Sequence, residues 1–184
     1  MKGPMSRRQK ADKKPSGVSE RTPLVLASKV AQVANLLGLE MIAGSFRLRR
    51  TTPSERKRLE REGSLGMTRQ DHSIHGDLLS ALTGFSLIAL LPKSKADGLC
   101  VDIAADFQLR YRLPKPRTLS NEEIRCFARV NSIFNSWSYW REFVQSSMAR
   151  MNLPQPCLPL MTAVGAVKLA GLLPQKDANT VAAK

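Results

Sequence analysis

The residues with the clearest capacity for chemistry are Asp71, His72, His75 and Asp77, in the stretch DHSIHGD. Two imidazoles three residues apart, flanked by carboxylates, have the donor types of a metal site. No cysteine stands nearby and the segment is polar, so an ordinary polar loop accounts for them better than a metal site. Cys126 is the second candidate. It neighbours Phe127 on the apolar side of a helical pattern, where a thiol is more readily a packed side chain than a nucleophile. No Ser, His and Asp order, no paired carboxylates and no Gly-rich Lys-Ser/Thr phosphate loop stands out. An enzyme reading has nothing to hold it: no catalytic residue, metal or cofactor is expected, and neither is an ATP-driven cycle.

A different cluster asks for binding rather than chemistry. WSYWREF, residues 137–143, holds both tryptophans and one of the two tyrosines of a chain that is only 5% aromatic. Trp137, Trp140, Val144, Met148 and Met151 recur at helical spacing as an apolar stripe. Tyr139 and Phe143 fall on another side of the same helix. A helix apolar on two sides has two neighbours, its own sheet and a second subunit. Arg141 and Glu142 also fit a core helix whose charged pair snorkels to water. Both readings make these residues structural.

The elements that must position this helix follow from periodicity. Thr22-Pro23 begins a helix over about 23–37, with Gly38 as its stop. LEMIAGSFRLRR, 39–50, alternates as a strand. Residues 51–77 are charged and read as a long loop, with Ser54 able to cap a short helix. LLSALTGFSLIALLP, 78–92, is an apolar strand. LCVDIAADFQLRYRLP, 99–114, alternates most cleanly: Val101, Ile103, Ala105, Phe107, Leu109 and Tyr111 face one side. SNEE, 120–123, is a capping box that opens a first helix, followed by the aromatic one. Pro154 ends that helix, PQPCLP is extended, and 162–174 is a short apolar helix. Strands first and helices after make an α+β domain: an antiparallel sheet covered on one side by a long helix of the C-terminal half. The expected organisation is a disordered basic tail over 1–22, one domain over 23–174 and a flexible tail over 175–184.

Charge narrows the partners. Twenty-nine Lys and Arg oppose fifteen acids, a formal net charge of +14. Residues 1–23 carry seven basic and two acidic residues; residues 24–62 carry eight and four. An N-terminal concentration of this kind suits nucleic acid or an acidic partner, or is simply a solvated face. The tail has no aromatic residues interleaved to stack bases. Three scattered cysteines, no apolar run of membrane-spanning length and no secretory h-region make the cytoplasm the expected location.

FNSWSYWREFVQSSMARMNLPQPCLPLM, residues 134–161, resembles the core signature of the SecB-like export chaperones. In that family an aromatic-Pro-aromatic-x-Arg-Glu motif opens a long helix that ends before a Leu- and Pro-rich loop. Trp137, Tyr139 or Trp140, Arg141, Glu142, Arg150, Leu153, Pro154 and Leu158-Pro159 fall on its positions, with Ser138 where the family has proline. The resemblance extends weakly back to about residue 30. It implies a four-stranded antiparallel sheet with helices on one side, although only three strands are plain; the fourth would lie in the polar 60–77 stretch. It further implies a homotetramer, as a dimer of dimers, acting as an ATP-independent holdase for unfolded polypeptides. The setting would be protein export with the SecA motor, or protection of an antitoxin in a toxin–antitoxin pair. Family members that dock SecA use a negative surface, which this positive chain does not promise. Client-facing residues would be Met148, Met151, Leu158, Leu160 and Met161, with Met41 as a further flexible contact. The packing and oligomer motif would be Trp137, Tyr139, Trp140, Arg141, Glu142 and Phe143. The alternative is a small basic nucleic-acid-binding protein.

Overall fold

Residues 22–48, 63–90 and 99–172 are described by the computed structural model. The basic tail up to residue 21, the SERKRLER stretch with its Ser54 cap and the C-terminal tail lie outside them. Four long strands form one antiparallel sheet: β1 (Asn35–Leu48), β2 (Gly63–His75), β3 (Leu78–Leu90) and β4 (Leu99–Arg112), in the order β1-β4-β3-β2. The cleanest alternation in the sequence therefore makes an inner strand. Val101, Ile103, Ala105, Phe107, Leu109 and Tyr111 of β4 are all buried, while Asp102, Asp106 and Gln108 face the other side half-exposed. β3 contributes Leu79, Ala81, Phe85 and Leu87 to the same inner face.

Three sequence expectations are corrected. The first helix, α1 (Pro23–Ala31), stops well before residue 37. From Asn35 the chain pairs with β4 instead, Asn35 opposite Arg112 and Leu36 opposite Tyr111. Val33, Ala34 and Leu37 continue the helical spacing of Leu26 and Val30, but a ladder of inter-strand bonds outweighs so weak a local preference. Gly38, expected as a helix stop, lies in β1 just past a bulge. Second, the polar stretch 63–75 is a strand. It forms the sheet edge beyond β3, where both faces meet water over much of their length, so its residues need not be apolar. A two-residue turn at Gly76-Asp77 joins it to β3, and Gly76 takes a φ of 64° that favours glycine. Third, the two expected helices are one, α2 (Asn121–Arg150), 30 residues long. Its interior serines do not interrupt it because their hydroxyls bond back within the helix: Ser136 Oγ donates to Ser132 O, and Ser132 Oγ to Arg129 O.

Both ends of α2 are closed by local chemistry. The Glu123 N–H donates to Ser120 Oγ at 3.2 Å, and the Ser120 N–H donates to the Glu123 carboxylate at 2.8 Å. The bonds from Ser120, reinforced by Lys29, hold that carboxyl below its ordinary pKa. Lys29 also ties α1 to α2 at 3.2 Å. At the other end Asn152 takes a φ of 52°, the Leu153 N–H donates to Met148 O, and the Asn152 N–H donates to Ala149 O. This is a Schellman closure with asparagine in the glycine position. α2 lies chiefly across β3, with β4 and β2 to either side, and α1 packs on its outer flank. Phe85 of β3 is the centre of the core. Its ring is 5.6 Å from both Trp137 and Trp140 and 6.1 Å from Phe107.

Candidate functional site

The segment after α2 builds the site. Pro154, Pro156 and Pro159 keep residues 153–162 extended, and Leu153 and Leu158 are buried against the core. The indole Nε1–H of Trp137 donates to the carbonyl of Pro159 at 2.8 Å, which pins the segment beside the middle of α2. Thr162 then caps α3 (Ala163–Leu169), its Oγ1 accepting from the Gly165 N–H at 3.0 Å. An open cavity of about 460 Å³ lies between this segment, α3 and β2. Leu65 and Met67 of β2, Trp137, Leu160, Met161 and Leu169 give it apolar walls, and Lys168 is the one charged residue that lines it among the described residues. A second opening, of about 770 Å³, lies at the far end of β2, between Ile74 and the Pro114–Leu119 connection into α2.

The residues expected to face client divide. Leu160 is 78% exposed at the cavity and Met161 half-buried in its wall. Met148, Met151 and Leu158 are instead buried core residues beneath the loop. Helical geometry turns Met148 inward, and Leu158 anchors the segment that carries Leu160. Trp137 does two things, packing edge-on to Phe85 and lining the cavity.

The other members of the aromatic cluster separate as their spacing requires. Trp140 is fully buried on Phe85, its Nε1 without a hydrogen-bond partner. Tyr139 is 53% exposed. Phe143 is half-buried over β1, so close that a β-carbon at Gly44 would sit 3.0 Å from its Cζ. Arg141 is half-buried with Nε unpartnered, and Glu142 is exposed. On the inner face of β1, to either side of the Phe143 contact at Gly44, Leu36, Met41 (48%) and Phe46 (47%) stand exposed.

Sequence reasoning missed the β2 and α3 walls. Leu65 and Met67 sit in a run dominated by polar residues, and only their two-residue spacing hints at a strand. The DHSIHGD residues do not converge. Strand alternation puts His72 on the face opposite Asp71 and His75, and the Asp71 carboxylate accepts the His72 N–H at 2.8 Å. Among the described residues no group of three or more metal donors forms. Cys126 is buried, and burial pushes its thiol pKa up, the reverse of nucleophile activation. Burial likewise pushes the Tyr111 phenol up to about 12, although Asn135 donates to its oxygen at 3.0 Å. Among the described residues no helix is long and apolar enough to cross a membrane.

No protein-family model and no curated protein matches this chain. Among solved structures, a SecB-like chaperone of Mycobacterium tuberculosis, in complex with a ChAD peptide from an antitoxin, superposes with a TM-score of 0.60. The two are 13% identical, and the alignment covers 74% of this chain and 96% of that one. The fold is SecB-like. The four-stranded antiparallel sheet and the long helix of the C-terminal half are the elements that make it so. A protein of unknown function from Streptococcus agalactiae aligns at 10% identity over 69% of this chain and 97% of its own, but its TM-score of 0.33 carries no argument.

Proposed function

We propose that this chain is an ATP-independent holdase, a SecB-like chaperone that keeps non-native polypeptides soluble. The observation that carries this is the open apolar cavity walled by Trp137, Leu160, Met161 and Leu169 on a SecB-like fold. Holding needs apolar surface that stays exposed and adapts to many sequences, and the long side chains of Leu160, Met161 and Met67 provide it. Met148, Met151 and Leu158 support the groove from beneath. The antitoxin peptide on the Mycobacterium tuberculosis structure favours a dedicated polypeptide client over export with SecA.

Assembly belongs to the same proposal. β1 is the other edge of the sheet among the described residues, with its outer backbone edge unpaired by them and with Leu36, Met41 and Phe46 about half-exposed on its inner face. A second copy covers them, and Tyr139 with Phe143 extends that contact, giving a dimer of dimers. Sub-stoichiometric amounts of the tetramer should delay light scattering by a chemically unfolded client diluted into buffer without ATP. Leu160→Ser with Leu169→Ser should abolish the delay while the far-ultraviolet spectrum is kept. Full protection by the double variant, or none by the wild type, contradicts the proposal.

The net charge of +14 favours a second reading, a basic nucleic-acid-binding protein. It expects binding to DNA or RNA that weakens steeply with salt and is lost when residues 1–21 are removed.

A further inference from the structure

We infer that α1 is a buttress of the client groove: Val30, buried on α1, is a positioning residue for α3, the helix that forms one groove wall. The inference rests on the holdase reading and assigns a control element to the same site. α3 divides by helical phase. Gly165, Lys168 and Leu169 line the cavity. Ala166, Val167 and the cap residue Ala170 lie on the other side of the helix, and all three are buried. The buried side is the one that packs, and the helices in contact with α3 are α2 and α1.

α1 presents its own apolar side to this junction. Leu26, Ala27 and Val30 are buried, Val30 completely, and Lys29 ties the helix to the first turn of α2 through Glu123 at 3.2 Å. Neither short helix is stable by itself. α1 has nine residues and α3 has seven, below the length at which an isolated helix persists in water. Each is therefore ordered by what it packs on. Two short helices that share a support and touch each other loosen together, as one cooperative unit. Undocking α1 removes a prop from behind the wall that presents Lys168 and Leu169 to the cavity. Linkage makes the effect mutual. A client that binds this wall only when α3 is docked must also tighten α1, although α1 stands behind the wall and not in the groove.

Hydrogen exchange and fluorescence anisotropy on the full chain test this, with a labelled peptide of about ten residues that alternates leucine and serine. Val30→Ser should speed exchange about tenfold at α3 amides such as Ala166 and Ala170, leave β4 unchanged, and weaken the peptide by a similar factor. In the wild type, bound peptide should slow exchange in α1 as well as in α3. If Val30→Ser also speeds exchange in β4, the exposed Lys29→Glu becomes the deciding variant. It sets a carboxylate against Glu123 and should give the same pattern at about twofold. Glu123→Gln keeps the capping box and removes that repulsion, so adding it to Lys29→Glu should restore both readouts. Wild-type α3 exchange and peptide affinity in the deciding variant overturn the inference and leave the holdase reading intact. So does bound peptide that slows α3 but not α1. Failure of the wild type to bind the peptide overturns both.

Discussion

Each edge strand of the sheet carries apolar side chains on its inner face, and the two end in different conditions. At β2, Leu65 and Met67 are half-buried, because the chain leaving α2 turns to that side and lays its proline segment and α3 alongside. At β1, Met41 and Phe46 are about half-exposed, and the Phe143 ring of α2 reaches over the strand at Gly44. The direction of one connection, set by the Asn152 turn and locked by the Trp137–Pro159 hydrogen bond, decides which edge carries a groove. The edge it leaves bare is an aggregation hazard unless another chain covers it. On our account a single helix thereby separates two tasks, holding client on one flank and assembling on the other.

The largest expected effect removes what both edges share. Trp140→Ala deletes the ring stacked on Phe85 and should cost about 3–5 kcal/mol in chemical denaturation, with loss of assembly and client holding together. The next distinguishes the support of the groove from its lining. Leu158→Ala, at a buried position, should cost about 2–4 kcal/mol, whereas Leu160→Ser should leave the denaturation midpoint nearly unchanged and weaken client protection several-fold. A destabilised Leu160→Ser protein would erase that distinction.

Tyr111 supplies a comparison in pH. Its phenol titrates at about 12 when folded and near 10 when unfolded. The unfolded state therefore releases its proton first, and stability present below pH 10 is lost as pH rises toward 12. The loss should approach about 2–3 kcal/mol and be absent from Tyr111→Phe, measured as the difference between their urea midpoints across that range. At the β1 edge, Met41→Lys with Phe46→Lys should reduce the assembly by light scattering at little cost to protomer stability, because both positions are exposed. The smallest effect is at Thr83, fully buried with its Oγ1 unpartnered. Thr83→Val keeps the shape and removes the orphan hydroxyl, so it should be neutral or stabilise by about 1 kcal/mol.

Much of the fold was legible because its strongest elements carry local signals. The alternation of 101–111, the Ser120–Glu123 box and the Pro154 stop each correspond to an element or boundary in the structure. The edges were hard to read for the reason that makes them edges. A strand with one neighbour and two wet faces, such as 63–75, need not alternate, and Leu37 continues the helical spacing of Leu26, Val30, Val33 and Ala34 although it lies in β1 at a bulge. The site was half legible. Leu160 and Met161 were expected from the proline segment and Trp137 only as a packing residue, while Leu65, Met67, Lys168 and Leu169 reach the cavity only through long-range placement that no local pattern encodes. Met148, Met151 and Leu158 carry the right chemistry for client contact, but helix phase and loop anchoring turn them inward.

One measurement separates the edges directly. A photoreactive amino acid placed at position 160, and in a second protein at position 46, is irradiated in the presence of an unfolded client. The account expects client adducts from position 160 and chain-to-chain adducts from position 46. Client adducts from position 46 with none from position 160, or no client adduct from either, would contradict it.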